Sequence, residues 1–142
     1  PSCFAIHGSE GQIVVAGSNS GSLLVWDLSR VEKTKQSGTA LVIQPQATTD
    51  SMGKKNHRFA IVAINVFTAS GTTVVCALDE SSLVTFWYLR STLSSSILFS
   101  SEKNELSFVK AETVKLSAGY LPSFSMSMFP NSVNSFLVGC VW

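Results

Sequence analysis

Two short apolar runs joined by a cluster of small polar residues occur twice in this chain, and the copies superpose without a gap at a shift of 61 residues. The first copy is Ile13-Val14-Val15-Ala16-Gly17, then Ser18-Asn19-Ser20-Gly21, then Ser22-Leu23-Leu24-Val25-Trp26-Asp27-Leu28. The second is Val74-Val75-Cys76-Ala77-Leu78, then Asp79-Glu80-Ser81-Ser82, then Leu83-Val84-Thr85-Phe86-Trp87-Tyr88-Leu89. With Trp26 set on Trp87, Val14 meets Val75, Val25 meets Phe86 and Leu28 meets Leu89. A further shift of the same size places Val14-Val15-Ala16-Gly17 on Phe136-Leu137-Val138-Gly139, so the unit begins a third time. Each copy reads as a β-hairpin, because Gly, Asn, Asp and Ser accept the backbone angles of a tight turn. The Val, Ile, Leu and Phe of the runs, interleaved with Ser and Thr, favour strands over helices.

Each hairpin is preceded by another apolar segment: Cys3-Phe4-Ala5-Ile6, Ile61-Val62-Ala63-Ile64-Asn65-Val66-Phe67, and Phe124-Ser125-Met126-Ser127-Met128-Phe129. The last alternates strictly, with serines on one face, which is the period of a strand. Weaker fourth strands are expected near residues 40–43 and 97–99. Four short strands per unit describe a propeller blade. The expected fold class is therefore all-β: a partial β-propeller of about two and a half four-stranded antiparallel blades. The units run over roughly 1–58, 59–118 and an incomplete 119–142. Blade repeats usually span about 40–45 residues, so the spacing implies inserted loops, expected at 29–39 with 44–58 and at 91–118. Inserts of this kind map to the rims, where partners bind. Two and a half blades cannot close on themselves, so the segment is expected to be a piece of a longer propeller that needs further blades.

Composition narrows the function classes. Ten basic and nine acidic residues leave a net charge of +1, which gives no global field for nucleic acid or anionic lipid. The apolar runs break well short of the roughly 18–20 residues of a spanning helix. Cys3, Cys76 and Cys140 form no CxxC and no ligand-spaced pair with a histidine, so buried free thiols are expected rather than a disulfide framework or a metal site. His7 and His57 lie far from any nucleophile motif. No catalytic, cofactor-binding or metal-binding residue is assigned, and no cofactor is expected. Asp79-Glu80 falls in a hairpin turn, where acidic residues are usually solvated. Lys54-Lys55-Asn56-His57-Arg58 is the one basic cluster. Its Lys54, Lys55 and Arg58 are the candidate partner-binding residues, although a solvated loop tip is the preferred reading, since no aromatics are interleaved and the net charge is near zero. The serine run Ser94-Ser95-Ser96 with Ser100-Ser101 reads as a loop, and Trp26 and Trp87 read as internal packing rather than binding anchors.

Gly21-Ser22-Leu23-Leu24-Val25-Trp26-Asp27-Leu28 resembles the end of a WD repeat, with the Trp-Asp dipeptide intact. Val15-Ala16-Gly17 with its Ser-Asn-Ser-Gly turn is similar to dynein intermediate chains. So are Ala77-Leu78-Asp79-Glu80 followed by Val84-Thr85-Phe86-Trp87, and Phe129-Pro130-Asn131 followed by Asn134-Ser135-Phe136-Leu137-Val138-Gly139. Among intermediate chains the likeness is closest to those of cytoplasmic dynein 2, the motor of retrograde intraflagellar transport. It spans most of the chain as ordered landmarks but leaves out the 44–58 and 91–110 stretches. The resemblance implies a non-catalytic scaffold whose propeller binds a dynein heavy chain, with other dynein subunits as further partners. It implies a cytoplasmic, cytoskeletal and ciliary location, with no nucleic acid bound and no membrane insertion. A generic WD scaffold outside motor complexes is the alternative, and an enzyme built on a propeller is a more distant rival. The chain departs from the family in places. The turn aspartate usual about six residues before the tryptophan is replaced by Ser20 and Ser81, the Gly-His start is absent, and Trp87-Tyr88 stands for Trp-Asp. The hydrogen-bond network that ties regular WD blades together is accordingly expected to be incomplete.

Overall fold

The computed structural model describes residues 2–8, 12–30, 44–45, 47–49, 57–69, 71–95, 102–116, 124–128 and 136–140. The first hairpin forms as expected. Strands β1 (Cys3–His7), β2 (Ile13–Gly17), β3 (Leu23–Asp27) and β4 (Ala47–Thr48) make one four-stranded antiparallel sheet in sequential order. Strands β5 (Ile61–Ala69), β6 (Thr72–Asp79), β7 (Leu83–Ser95) and β8 (Glu102–Lys115) make a second. Strands β9 (Phe124–Met128) and β10 (Phe136–Cys140) pair as a third, two-stranded sheet. One 3₁₀ turn, Leu28–Arg30, is the helical element among the described residues.

The register carries the repeat into three dimensions. Val14 pairs with Trp26 in the first sheet and Val75 with Trp87 in the second, so the 61-residue shift holds across both hairpins. The innermost strand departs by one residue. Phe4 pairs with Ala16 and Met126 with Val138, but Ile64 rather than Asn65 faces Ala77, and a bulge lies between Ile61 and Ala63. The offset of one runs along the ladder from Ala69↔Thr72 to Ala63↔Leu78, and the bulge widens it to two at Ile61↔Asp79. The two turns also match. Gly21 donates its N–H to Ser18 O and Ser82 to Asp79 O, and both Gly21 and Ser82 hold positive φ, at 83° and 66°. A turn followed by a left-handed residue is a standard way to join paired strands.

The fourth strands expected near 40–43 and 97–99 lie outside the described residues; those described are β4 and β8. Two stretches expected as loops are corrected. Most of 91–116 is the long β7–β8 hairpin, paired from Leu83↔Lys115 to Ser95↔Glu102. Its serines, threonines and mixed charges suit the wet face of a strand as well as they suit a loop. Residues 44–58 likewise contain β4 and two buried side chains, Thr49 and His57.

The core lies between the first two sheets. Ala5, Val15, Val25 and Ala47 pair in one row across the first sheet and pack on Ile64, Val66, Val75, Ala77, Trp87 and Phe108 of the second. Val15, Val25 and Val75 are wholly buried, each contributing about 1.5–3 kcal/mol by the usual area relation. The far face of the second sheet carries its own cluster around Cys76, Leu78 and Val84, and β5 runs beside β9. The opposite face of the first sheet bears Phe4 and Ile6, 67% and 60% exposed. The sheets do not close into a ring.

Candidate functional site

The most ordered polar assembly is built on the β6–β7 turn. Asp79 ends β6, and its Oδ1 accepts from Ser81 N–H (2.9 Å), Ser81 Oγ (2.7 Å) and Leu83 N–H (3.0 Å). Those three bonds fold the turn over the carboxylate and leave Oδ2 for His57 Nδ1, at 2.9 Å. His57 Nε2 lies 2.5 Å from Thr85 Oγ1, and Trp87 Nε1 donates to the same hydroxyl at 2.9 Å. Thr85 and Trp87 are two residues apart on β7, so both side chains reach the same face. The indole then meets the Phe108 ring edge-on, with centroids 6.0 Å apart and planes at 73°. His57, Asp79, Thr85 and Trp87 are all at most 2% exposed.

Donors and acceptors run in one consistent order when His57 is neutral. Trp87 N–H donates to Thr85 Oγ, Thr85 O–H to His57 Nε2, and His57 Nδ1–H to the Asp79 carboxylate. A protonated imidazole would leave the Thr85 hydroxyl facing two donors. Burial pushes the His57 pKa down against the opposing pull of Asp79. At Asp79 burial acts upward, but the hydrogen bonds from His57, Ser81 and Leu83 outweigh it and hold the carboxyl below its ordinary range. No buried side-chain nitrogen or oxygen among the described residues lacks a partner.

Carboxylate, imidazole and hydroxyl stand here in the order of an acyl-transfer triad. The Thr85 hydroxyl is fully buried, however, and its oxygen already takes the indole N–H, so no acyl group can approach it. The arrangement fixes the turn, the entry to β5 and β7 relative to one another. It also reaches the first sheet. Gly21, at positive φ, lies so close that a Cβ there would sit 2.4 Å from His57 O. Ile61 N–H donates to Ser18 O at 3.1 Å, and both Ser2 Oγ and Cys3 Sγ bond to Ile61 O.

The expectation of an incomplete network is thus overturned in the second sheet. The aspartate stands eight residues before Trp87 rather than six, and the histidine comes from the preceding connection. Asp79 is correspondingly buried rather than solvated. The first sheet is different. Ser18 occupies the place of Asp79, where its Oγ accepts from Ser22 N–H at 2.9 Å and shares a hydrogen bond with Ser20 Oγ at 2.9 Å, while Leu24 occupies the place of Thr85. Of the basic cluster, Arg58 is exposed, directly after buried His57; Lys54 and Lys55 lie outside the described residues. His7 is on the first strand, 3.0 Å from Thr68 Oγ1. Cys76 is a buried free thiol, whereas Cys3 is only half-buried. No group of three or more potential metal ligands occurs among the described residues, and none of their helices is long and apolar enough to cross a membrane. The sequence matches no protein-family model and no curated protein.

Proposed function

We propose that this chain is part of a WD-repeat β-propeller that serves as a non-catalytic scaffold subunit of a microtubule motor complex. In this reading the propeller binds a dynein heavy chain and supports retrograde transport in cilia, placing the protein in the cytoplasm on the ciliary cytoskeleton. One observation carries the propeller: the second sheet packs one face on the opposite face of the first, so that the matching face of the first sheet stands ready for a further sheet. The face of the second sheet that covers the first is built from Ile64, Val66, Val75, Ala77 and Trp87. Its counterpart on the first sheet bears Phe4, Ile6, Val14, Ala16 and Trp26, with Phe4 and Ile6 exposed. Face-to-face repetition of this kind buries that surface only if another sheet of the same type stacks on it. The inner strands β1, β5 and β9 follow one another as neighbours, as radial blades require.

The motor assignment rests on the resemblance of the Trp26, Trp87 and Phe136 segments to dynein intermediate chains. The decisive experiment is affinity capture of the full-length protein from ciliated cells, with identification of the bound chains. A dynein heavy chain recovered together with light chains is the expected result. Recovery of neither, from a protein shown to be folded, overturns the motor reading and leaves a WD scaffold with other partners.

A further inference from the structure

Two tasks are divided between the oxygens of one carboxylate. Asp79 Oδ1 takes the three bonds that close the β6–β7 turn, from Ser81 N–H, Ser81 Oγ and Leu83 N–H. Oδ2 takes His57 Nδ1, from outside that turn. The turn of the first sheet closes on its own hydroxyl, with Ser18 Oγ meeting Ser22 N–H and Ser20 Oγ. Neither turn therefore relies on His57 to stay closed. What His57 anchors is the connection that leads from it into β5. Along that connection Ala60 O accepts from Glu80 N–H, and Ile61 N–H reaches Ser18 O of the first sheet, both at 3.1 Å. Gly21 lies under the His57 carbonyl, and Ser2 and Cys3 bond to Ile61 O.

The anchor is fitted to a neutral imidazole. Nδ1–H donates to Asp79, and bare Nε2 accepts from the Thr85 hydroxyl, whose oxygen already takes the indole N–H of Trp87. A proton added at Nε2 turns that acceptor into a donor and leaves the Thr85 O–H without one, in a site where an unpaired polar group is costly. The new charge would meet one carboxylate, Asp79 of β6, already engaged by Ser81 and Leu83. It would be opposed by burial and by the cation of Lys110 on β8. Strand β7 supplies Thr85 and Trp87, and the first sheet supplies Gly21; none of these titrates. An imidazolium is better solvated outside such a site, and its departure leaves both turns with their own bonds.

We infer that His57 is a proton-operated latch: protonation releases residues 57–60 from Asp79 and Thr85 and loosens the joint between the first two sheets while both sheets stay folded. Opening of this kind is local rather than global. The latch rests on the geometry of the joint and not on the motor reading.

The test is residue-resolved amide hydrogen exchange on the full-length protein at pH 7.5 and pH 5.5, each rate divided by the intrinsic rate at that pH. The reporters are Ile61 N–H and Glu80 N–H, whose bonds the released connection breaks. A freed imidazole titrating near its ordinary value gains about tenfold in protonation over that interval, so protection at both amides should fall by about that factor. Their exchange at pH 5.5 should be indifferent to dilute urea, because a local opening exposes little surface. His57→Gln should remove the pH dependence. Imidazole ¹⁵N shifts of the parent give a second measurement that no folding defect can disturb: at pH 7.5 His57 should be neutral, with its proton on Nδ1. Four results would overturn the inference. They are equal protection at the two pH values, exchange at Ile61 and Glu80 that rises with urea in step with Val75 of the core, a pH dependence that survives in folded His57→Gln, or an imidazolium at pH 7.5.

Discussion

Replacing Asp79 by alanine removes the acceptor on which the β6–β7 turn is built. Four donors lose their partner at once: His57 Nδ1–H, Ser81 N–H, Ser81 O–H and Leu83 N–H. Ser81 is only partly buried and can turn to water, so the cost concentrates on His57, which is 1% exposed. Deleting the acceptor of a buried neutral donor typically costs about 1–3 kcal/mol. That is a large share of the roughly 5–15 kcal/mol by which domains are stable. In urea, with a dependence of about 1–3 kcal/mol per molar, the midpoint should fall by about 0.3–3 M. The assay is urea unfolding of the full-length protein followed by tryptophan fluorescence. Ser20→Ala, in the exposed turn of the first sheet, serves as control and should stay within about 0.5 kcal/mol of the parent. Thr85→Val closes a double-mutant cycle. It keeps the shape but strands Trp87 N–H and His57 Nε2, and if the four side chains act as one unit its effect and that of Asp79→Ala should couple by about 0.5–3 kcal/mol. An Asp79→Ala loss no larger than that of Ser20→Ala, or strictly additive effects, would refute the account.

Further expectations follow from the same geometry. Because burial lowers the His57 pKa below 6.5, the unfolded chain binds a proton there before the folded one does, so stability should decline as pH falls below about 6.5. A second loss should come in acid as the depressed Asp79 carboxyl finally protonates. Urea midpoints between pH 8 and pH 3 check both phases, and His57→Gln should abolish the first. Gly21→Ala should destabilise far more than Gly71→Ala although both glycines hold positive φ. The second change carries only a conformational penalty of about 1 kcal/mol, whereas the first also drives Cβ into His57 O; thermal melting of the two variants compares them. Cys76, fully buried and with its pKa pushed up to about 12, should resist an aromatic disulfide reagent at pH 8 until urea unfolds the chain, and Cys3 should react sooner.

The parts of this fold legible in the sequence were those that depend on period. A shift of 61 residues located both hairpins, and because strand faces alternate with period two, it also fixed which residues share a face. The one-residue offset of β5 could not be read this way, since it is set by the short β5–β6 turn, already present at Ala69↔Thr72, and not by the apolar period. The β7–β8 ribbon was misread for a related reason: serine, threonine and paired charges look alike on a solvated strand and in a loop. The buried network escaped because its members are joined through space. His57 lies 22 residues before Asp79 and sits in a basic stretch that reads as solvated. Asp79 stands eight residues before Trp87, whereas the family pattern points to the position about six before it, held here by Ser81. Thr85, two residues before Trp87, gave the remaining signal, because only a hydroxyl at that spacing can both accept from the indole and meet a histidine.

The contrast between the first two sheets indicates what the network is for. At the equivalent places the first sheet holds Ser18 and Leu24, and its turn closes on the Ser18 hydroxyl, which meets Ser22 N–H and Ser20 Oγ. Replacing every member of a buried polar set together costs little, since no group is left without its partner. The hairpin therefore does not need the network in order to form. What the second sheet gains is a joint. His57 lies in the connection between sheets, its carbonyl rests against Gly21 of the preceding turn, and Ile61, four residues on, bonds to Ser18, Ser2 and Cys3 of the first sheet. Holding the imidazole between Asp79 and Thr85 thus sets where one sheet begins relative to the turn of the one before it. A surface read by a partner across several sheets requires those intervals to be rigid. On the scaffold function proposed above, the four buried side chains act by fixing the relation between sheets rather than by contacting the partner, so variants of Asp79 or Thr85 should weaken partner binding in proportion to the stability they cost.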